Sequence, residues 1–122
     1  MLVSTGENFD GQQTTSEIVD LTLKGGNMCN NWPNFPISVY VASGGLIGDT
    51  VIICGGEDSD SNYVDECHSL TSEKTTLATN MSFERSGAAS IVINDNTLWV
   101  TGDLKFASND VYYTISNSTE YV

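Results

Sequence analysis

The residues best suited to chemistry share one stretch, "VIICGGEDSDSNYVDECHSL" (51–70). It holds Cys54 and Cys67, two of the 3 cysteines, and His68, the single histidine. The third cysteine, Cys29, lies well before it. A structural zinc site takes about four N or S ligands. With no Cys-x-x-Cys and one histidine, such a site would have to borrow ligands from elsewhere. Asp58, Asp60 and Asn62 begin like positions 1, 3 and 5 of a calcium loop. The loop then fails where it is most demanding: Tyr63 replaces the sixth-position glycine and Ser69 the twelfth-position glutamate. A solvated acidic turn accounts for these residues more simply. A hydrolytic triad needs Ser, His and an acid held together, and His68 alone is one member. Trp32, Trp99, Tyr112, Tyr113 and Tyr121 have the ring faces to line a sugar site, although Trp99, in mid-strand, reads better as core. These residues predict no catalytic centre, no metal, no cofactor and no enzyme.

Composition narrows the classes further. Asp plus Glu number 16 and Lys plus Arg 4, a formal net charge of -12. Such a surface repels phosphate backbones, against nucleic acid and anionic membranes as partners. Charged residues make up 16% of the chain and hydrophobic ones 39%, too apolar for a disordered acidic tail. No run approaches the roughly 20 apolar residues of a spanning helix. The start, "MLVSTGENFDG", has no basic segment and no long apolar segment, unlike a signal peptide. Met1-Leu2-Val3 reads as the middle of a strand, so Met1 is expected to be internal. Two sequons, Asn80-Met81-Ser82 and Asn117-Ser118-Thr119, join the cysteines in favouring an oxidising, secreted setting over a cytosol with free buried thiols.

These residues sit in a repeat. "YVASGGLIGDTVIICGG" (40–56) lies over "SGAASIVINDNTLWVTG" (86–102) without a gap, at an offset of 46. A partial copy opens the chain: "LVSTGE" (2–7) matches "IICGGE" (52–57) and "LWVTGD" (98–103). Each copy reads as a β-hairpin. An apolar strand meets a polar turn, Gly48-Asp49 or Asn94-Asp95-Asn96, and a second apolar strand stops at glycine. The first strands carry small residues, Ala42 to Gly45 and Ser86 to Ala89, which suit an inner strand along a crowded axis. Apolar runs are continuous rather than alternating, so both sheet faces should be covered. Third strands are expected in Glu17–Leu21 and Tyr63–Leu70, with weaker fourth strands around Cys29–Trp32 and Thr75–Ala78.

Four antiparallel strands per copy resemble the kelch repeat, the blade of a β-propeller. Arg85-Ser86-Gly87-Ala88-Ala89, Leu98-Trp99-Val100 and the doublet Gly55-Gly56 carry the likeness. The flanking copies depart from the doublet with Thr5-Gly6 and Thr101-Gly102. The family's Tyr and Trp of strands three and four are missing from the central copy, where His68 or Ser69 and Ala78 stand. Cys54-Gly55-Gly56 followed by Cys67 is similar to secreted kelch proteins. The fold class implied is all-β, about two and a half blades. A partial blade spans 1–37, a complete one 38–83 and a partial one 84–122, with an insertion at 105–117. Propellers close with about 4–8 blades. A wheel this incomplete leaves apolar faces bare, so the chain is expected to be part of a longer protein or to be completed by further copies.

Within that frame, Cys54 and Cys67 fall on neighbouring antiparallel strands, and a cross-strand disulfide is the expectation, with free thiols second. A competing Cys29–Cys54 bond would cross between blades. At the place of Cys54 the flanking copies have Ser4 and Val100. Asn80 and Asn117 are expected glycosylation sites, Asn80 in the connection to the next blade. Gly6, Gly55, Gly56 and Gly102 are the repeat glycines. The resemblance implies an extracellular protein-binding or scaffold module. The alternative is part of a carbohydrate-binding or copper-oxidase-like propeller; the single histidine disfavours the copper-oxidase reading alone.

Overall fold

The computed structural model describes residues 2–19, 29–94, 96–102, 104–106, 113–115 and 119–121. In chain order the strands are β1 (Leu2–Ser4), β2 (Glu7–Asn8), β3 (Gly11–Gln12), β4 (Ser16–Val19), β5 (Cys29–Trp32), β6 (Val39–Tyr40), β7 (Ser43–Ile47) and β8 (Thr50–Cys54). They continue as β9 (Glu57–Asp58), β10 (Glu66–Leu70), β11 (Thr75–Asn80), β12 (Ala89–Asn94), β13 (Thr97–Thr101), β14 (Leu104–Phe106), β15 (Tyr113–Ile115) and β16 (Thr119–Tyr121). Among the described residues, three antiparallel sheets have three or more strands, in the orders β1-β4-β5, β7-β8-β10-β11 and β12-β13-β16. The second is a complete four-stranded meander. The insertion expected at 105–117 contributes to a small hairpin, β14 with β15.

The sheets stack face to face through alternate residues of each strand. Cys54, Cys67 and Met81 of the second unit meet Leu98 and Val100 of the third in one buried cluster, with Ile52 and Val92 beside them. The opposite face buries Leu70 with Phe35 and Val39, edged by Trp32, Val51 and Ile53. The even positions of β8 therefore face forward and the odd positions backward, which explains why its apolar run does not alternate. Both faces are not covered throughout, however: Leu46, Ile91 and Ile93 stay exposed. Ile91 and Ile93 alternate with Ser90 and Val92, which meet β7, so they point away from the second unit, where no described residue covers them.

Small residues on the inner strand have a steric cause. Val92 Cγ2 and Leu98 Cδ1 lie 2.6 and 2.8 Å from where a Cβ on Gly45 would stand. The doublet has a backbone cause. Gly55 and Gly56 take φ of 68° and 105°, and their amides donate to Glu66 O and Arg85 O.

The third unit corrects the ungapped repeat. A bulge between Val92 and Asn94 slips β13 by one residue against β12. Gly44 pairs with Ile53, while its counterpart Ser90 pairs with Val100. Gly102, at φ 72°, thus takes the place of Gly55 rather than Gly56. Thr101, not Val100, is the counterpart of Cys54. The equivalent cross-strand pairs are then Ser4–Ser16, Cys54–Cys67 and Thr101–Thr119, each of one residue type. Ser4 and Ser16 join their hydroxyl oxygens at 2.6 Å where the second unit has sulfurs.

Thr5, Val41 and Ser61 take positive φ, and two of them stand where another unit has glycine. Thr5, at φ 60°, stands where the second unit has Gly55, and Val41, at φ 56°, where the third has Gly87. A β-branched residue in this region costs roughly 1–2 kcal/mol. Thr5→Gly is therefore expected to stabilise the chain by about 0.5 kcal/mol, because glycine's greater unfolded-state entropy offsets part of the relief. A rise in urea midpoint at constant m-value is the check.

Candidate functional site

One rim of the stacked sheets gathers the connections between second and third strands and those between units. Backbone hydrogen bonds tie them together. Gly6 N donates to Val39 O, Phe35 N to Thr14 O, Arg85 N to Val64 O and Gly87 N to Val41 O. Val39 and Tyr40 also pair with Asp58 and Glu57. From this rim the β2–β3 hairpin projects, with Phe9 fully exposed at its turn. Asp10 is exposed beside it, and the 57–66 connection adds Glu57, Asp58, Asp60 and Asp65. The result is an acidic face with a projecting aromatic ring. Sequence reasoning missed Phe9. Its signal was an aromatic residue set in "ENFDGQ", a turn that otherwise has only polar residues and glycine.

The calcium-like residues form a turn of their own. Asp58 Oδ1 accepts from the backbone N–H groups of Asp60 and Asn62, both at 2.9 Å. The Asn62 N–H is the main cause holding the Asp58 carboxyl below its ordinary 3.8; burial opposes it, and the Asn62 side chain and the Asp60 N–H add to it. A lowered folded-state pKa stabilises the turn above the unfolded value, and that contribution is lost as pH falls through the folded pKa. Amide exchange at Asn62 is therefore expected to accelerate as pH drops below about 4, once intrinsic rates are corrected, and Asp58→Ala should remove that step. Among the described residues, no group of three or more His, Cys, Asp or Glu is placed to hold a metal ion.

His68 is buried on the face toward the first unit. Its Nε2 lies 2.7 Å from Glu66 Oε2, and its ring meets Phe35 edge-on at 5.0 Å. The histidine is thus packed at the junction with the first unit.

Cys54 and Cys67 are directly opposed on β8 and β10, with Cα atoms 4.0 Å apart and sulfurs bonded at 2.09 Å. The Gly55 N–H to Glu66 O bond beside them marks a close, non-hydrogen-bonded pair position. Cys29 lies on β5 opposite Val19. Asn80 is exposed, but as the last residue of β11, opposite Glu66, rather than in the connection, because the fourth strand runs longer than its weak pattern suggested. Asn117 and Tyr112 lie outside the described residues. Trp32 packs against the core, Trp99 lies on β13 between Ile91 of β12 and Tyr121 of β16, and Tyr113 opens β15.

No family model matches the chain. Over 92 residues it is 34% identical to N-acetylneuraminate epimerase from Vibrio vulnificus, a match spanning 75% of this chain and 24% of that protein. The solved structure of YjhT superposes with a TM-score of 0.64 at 16% identity, over 75% of this chain and 28% of the other. The chain is homologous to a kelch-repeat β-propeller. It spans about a quarter of the length of the relatives it matches. The stacked sheets are kelch blades, and the rim that presents Phe9 is a loop face of the propeller.

Proposed function

We propose that these kelch blades belong to an extracellular propeller that binds a protein partner through this loop face and performs no catalysis itself. The observation that carries the proposal is Phe9, a fully exposed aromatic ring raised on a hydrogen-bonded hairpin. Aromatic side chains anchor interfaces, and the surrounding acids favour a partner with basic residues. Secretion is supported by the buried Cys54–Cys67 bond and by the exposed sequon at Asn80. A photo-crosslinking residue at position 9, compared with one at Ser72 in the β10–β11 connection, tests the interface in material from the native source. Crosslinking to a protein partner from position 9 alone is expected. Equal yields from both positions, or none from position 9, would overturn the assignment.

A second reading has its own support, the 34% identity to N-acetylneuraminate epimerase. On that reading the blades form part of a propeller acting on N-acetylneuraminate. Proton NMR of that sugar with the protein separates the two: accelerated epimerisation favours the second reading, and an unchanged rate the first.

A further inference from the structure

Among the described residues, the outer strand of the complete blade, β11, pairs with β10 alone. Sheet edges are ordinarily kept from pairing with other chains by charges, proline or short length. β11 runs 6 residues as TTLATN, with no charge and no proline, and Leu77 on it is 55% exposed. A bulge where β11 passes Cys67 and His68 interrupts the edge without covering it. Asn80, of the sequon Asn80-Met81-Ser82, is the exposed last residue of this strand. Its place is fixed on both sides. It opposes Glu66, and the next residue, Met81, is buried with Cys54 and Cys67 and donates its N–H to Asp65 O at 2.8 Å. That bond marks Asn80 and Glu66 as a non-hydrogen-bonded pair, so the Asn80 N–H and C=O point away from β10, toward the edge. Leu77 opposes His68, whose backbone bonds run to β8 like those of Glu66, so the Leu77 N–H points the same way. Glu66 and His68 alternate on β10, and the bulge therefore sets Leu77 and Asn80 on one face although they are three residues apart.

We propose that Asn80 carries an N-linked glycan and that this glycan keeps β11 from pairing with the β11 of a second copy. The proposal rests on the extracellular reading above, because the sugar donor, a polyprenyl-diphosphate oligosaccharide, is met in the secretory pathway. In the transfer, Asn80 Nδ2 bonds to the anomeric carbon of an N-acetylhexosamine. The bond from that carbon to the diphosphate oxygen breaks, and Nδ2 gives up one proton. The sugar chain then stands on the same face as the exposed Leu77 and beside the outward backbone groups. A second copy is the natural occupant of a bare edge, because identical uncharged strands can pair in register. Copies of a chain with a formal net charge of -12 repel one another, but β11 adds no charge of its own to that repulsion. The glycan supplies bulk where charge is missing.

Peptide mapping of material from the native source tests occupancy, and the peptide containing Asn80 is expected to carry a hexosamine-bearing glycan. Bare Asn80 in secreted protein would overturn this inference and leave the extracellular reading standing, whereas a protein confined to the cytosol would overturn both. The guarding role is read from amide exchange of the glycoprotein at rising protein concentration. Exchange at Leu77 and Asn80 is expected to stay constant while the glycan is intact. In Asn80→Gln, and in glycoprotein trimmed after folding to its first sugar, exchange there should slow about tenfold as edges pair. Adding Leu77→Lys to Asn80→Gln should restore the fast exchange. The trimmed sample is already folded, so it keeps the test sound if the variant folds poorly. Equal exchange at β11 with and without the glycan at every concentration would overturn the guarding role. So would protection that arises only at Ile91 and Ile93, the exposed residues of the third blade.

Discussion

Replacing Cys54 and Cys67 together by serine is expected to lower unfolding stability by about 3 kcal/mol, the chain-entropy value for a loop of this size. The bond joins residues separated by 13 in sequence, across a connection rich in glycine and acids. Without the link, the unfolded chain regains that loop's freedom and its acids repel each other. The folded state loses less. The first blade already holds Ser4 and Ser16 in hydrogen-bonded contact at the same place, so a serine pair fits the β8–β10 register. The residual cost in the folded state is two buried hydroxyls beside Met81, Leu98 and Val100. Urea titrations of the double variant and of the parent, with and without reductant, check this. The reduced parent should fall near the double variant, and a change under 1 kcal/mol in both would show that the clamp contributes little.

Arg85→Ala is expected to cost about 3 kcal/mol, through a cavity and the loss of a charge-assisted hydrogen bond. Arg85 is 1% exposed and joins two blades. Its backbone exchanges bonds with Gly56 and Val64 of the second blade, while its Nη1 donates to Gly102 O in the third at 3.2 Å. Arg85→Met should cost less, about 1 kcal/mol, because it restores volume and removes the desolvation cost of a buried cation. The second blade supports that ordering. Val39 occupies the position of Arg85 there, fully buried, and its carbonyl likewise accepts the amide of the doublet's second glycine, Gly6. Chemical denaturation of the two variants checks the ordering, and an equal loss in both would assign the effect to the charge alone.

The blade was legible from sequence because its signals are local. Hairpin turns, the glycine doublet and the small inner-strand residues each answer to a backbone angle or a close approach within a few residues. The register of the third blade was not legible. The bulge at Ile93 leaves no mark in an ungapped alignment, and the slip shows only in which residues face each other. It moves the counterpart of Cys54 from Val100 to Thr101. The loop face was half legible. The acids stood out by composition, but the Asp58 carboxylate turned inward to its own loop, and Phe9 stood out only once a hairpin raised it.

The repeats are propeller blades stacked face to face, rather than hairpins strung along a chain. Isotope-edited NOESY of the folded protein tests this most directly at Gly45. The stacked arrangement predicts cross-peaks from the Gly45 α-protons to methyl groups of Val92 and Leu98, alongside those linking Cys54 and Cys67 across the hairpin. Cross-peaks within each hairpin but none from Gly45 to the third blade would contradict it.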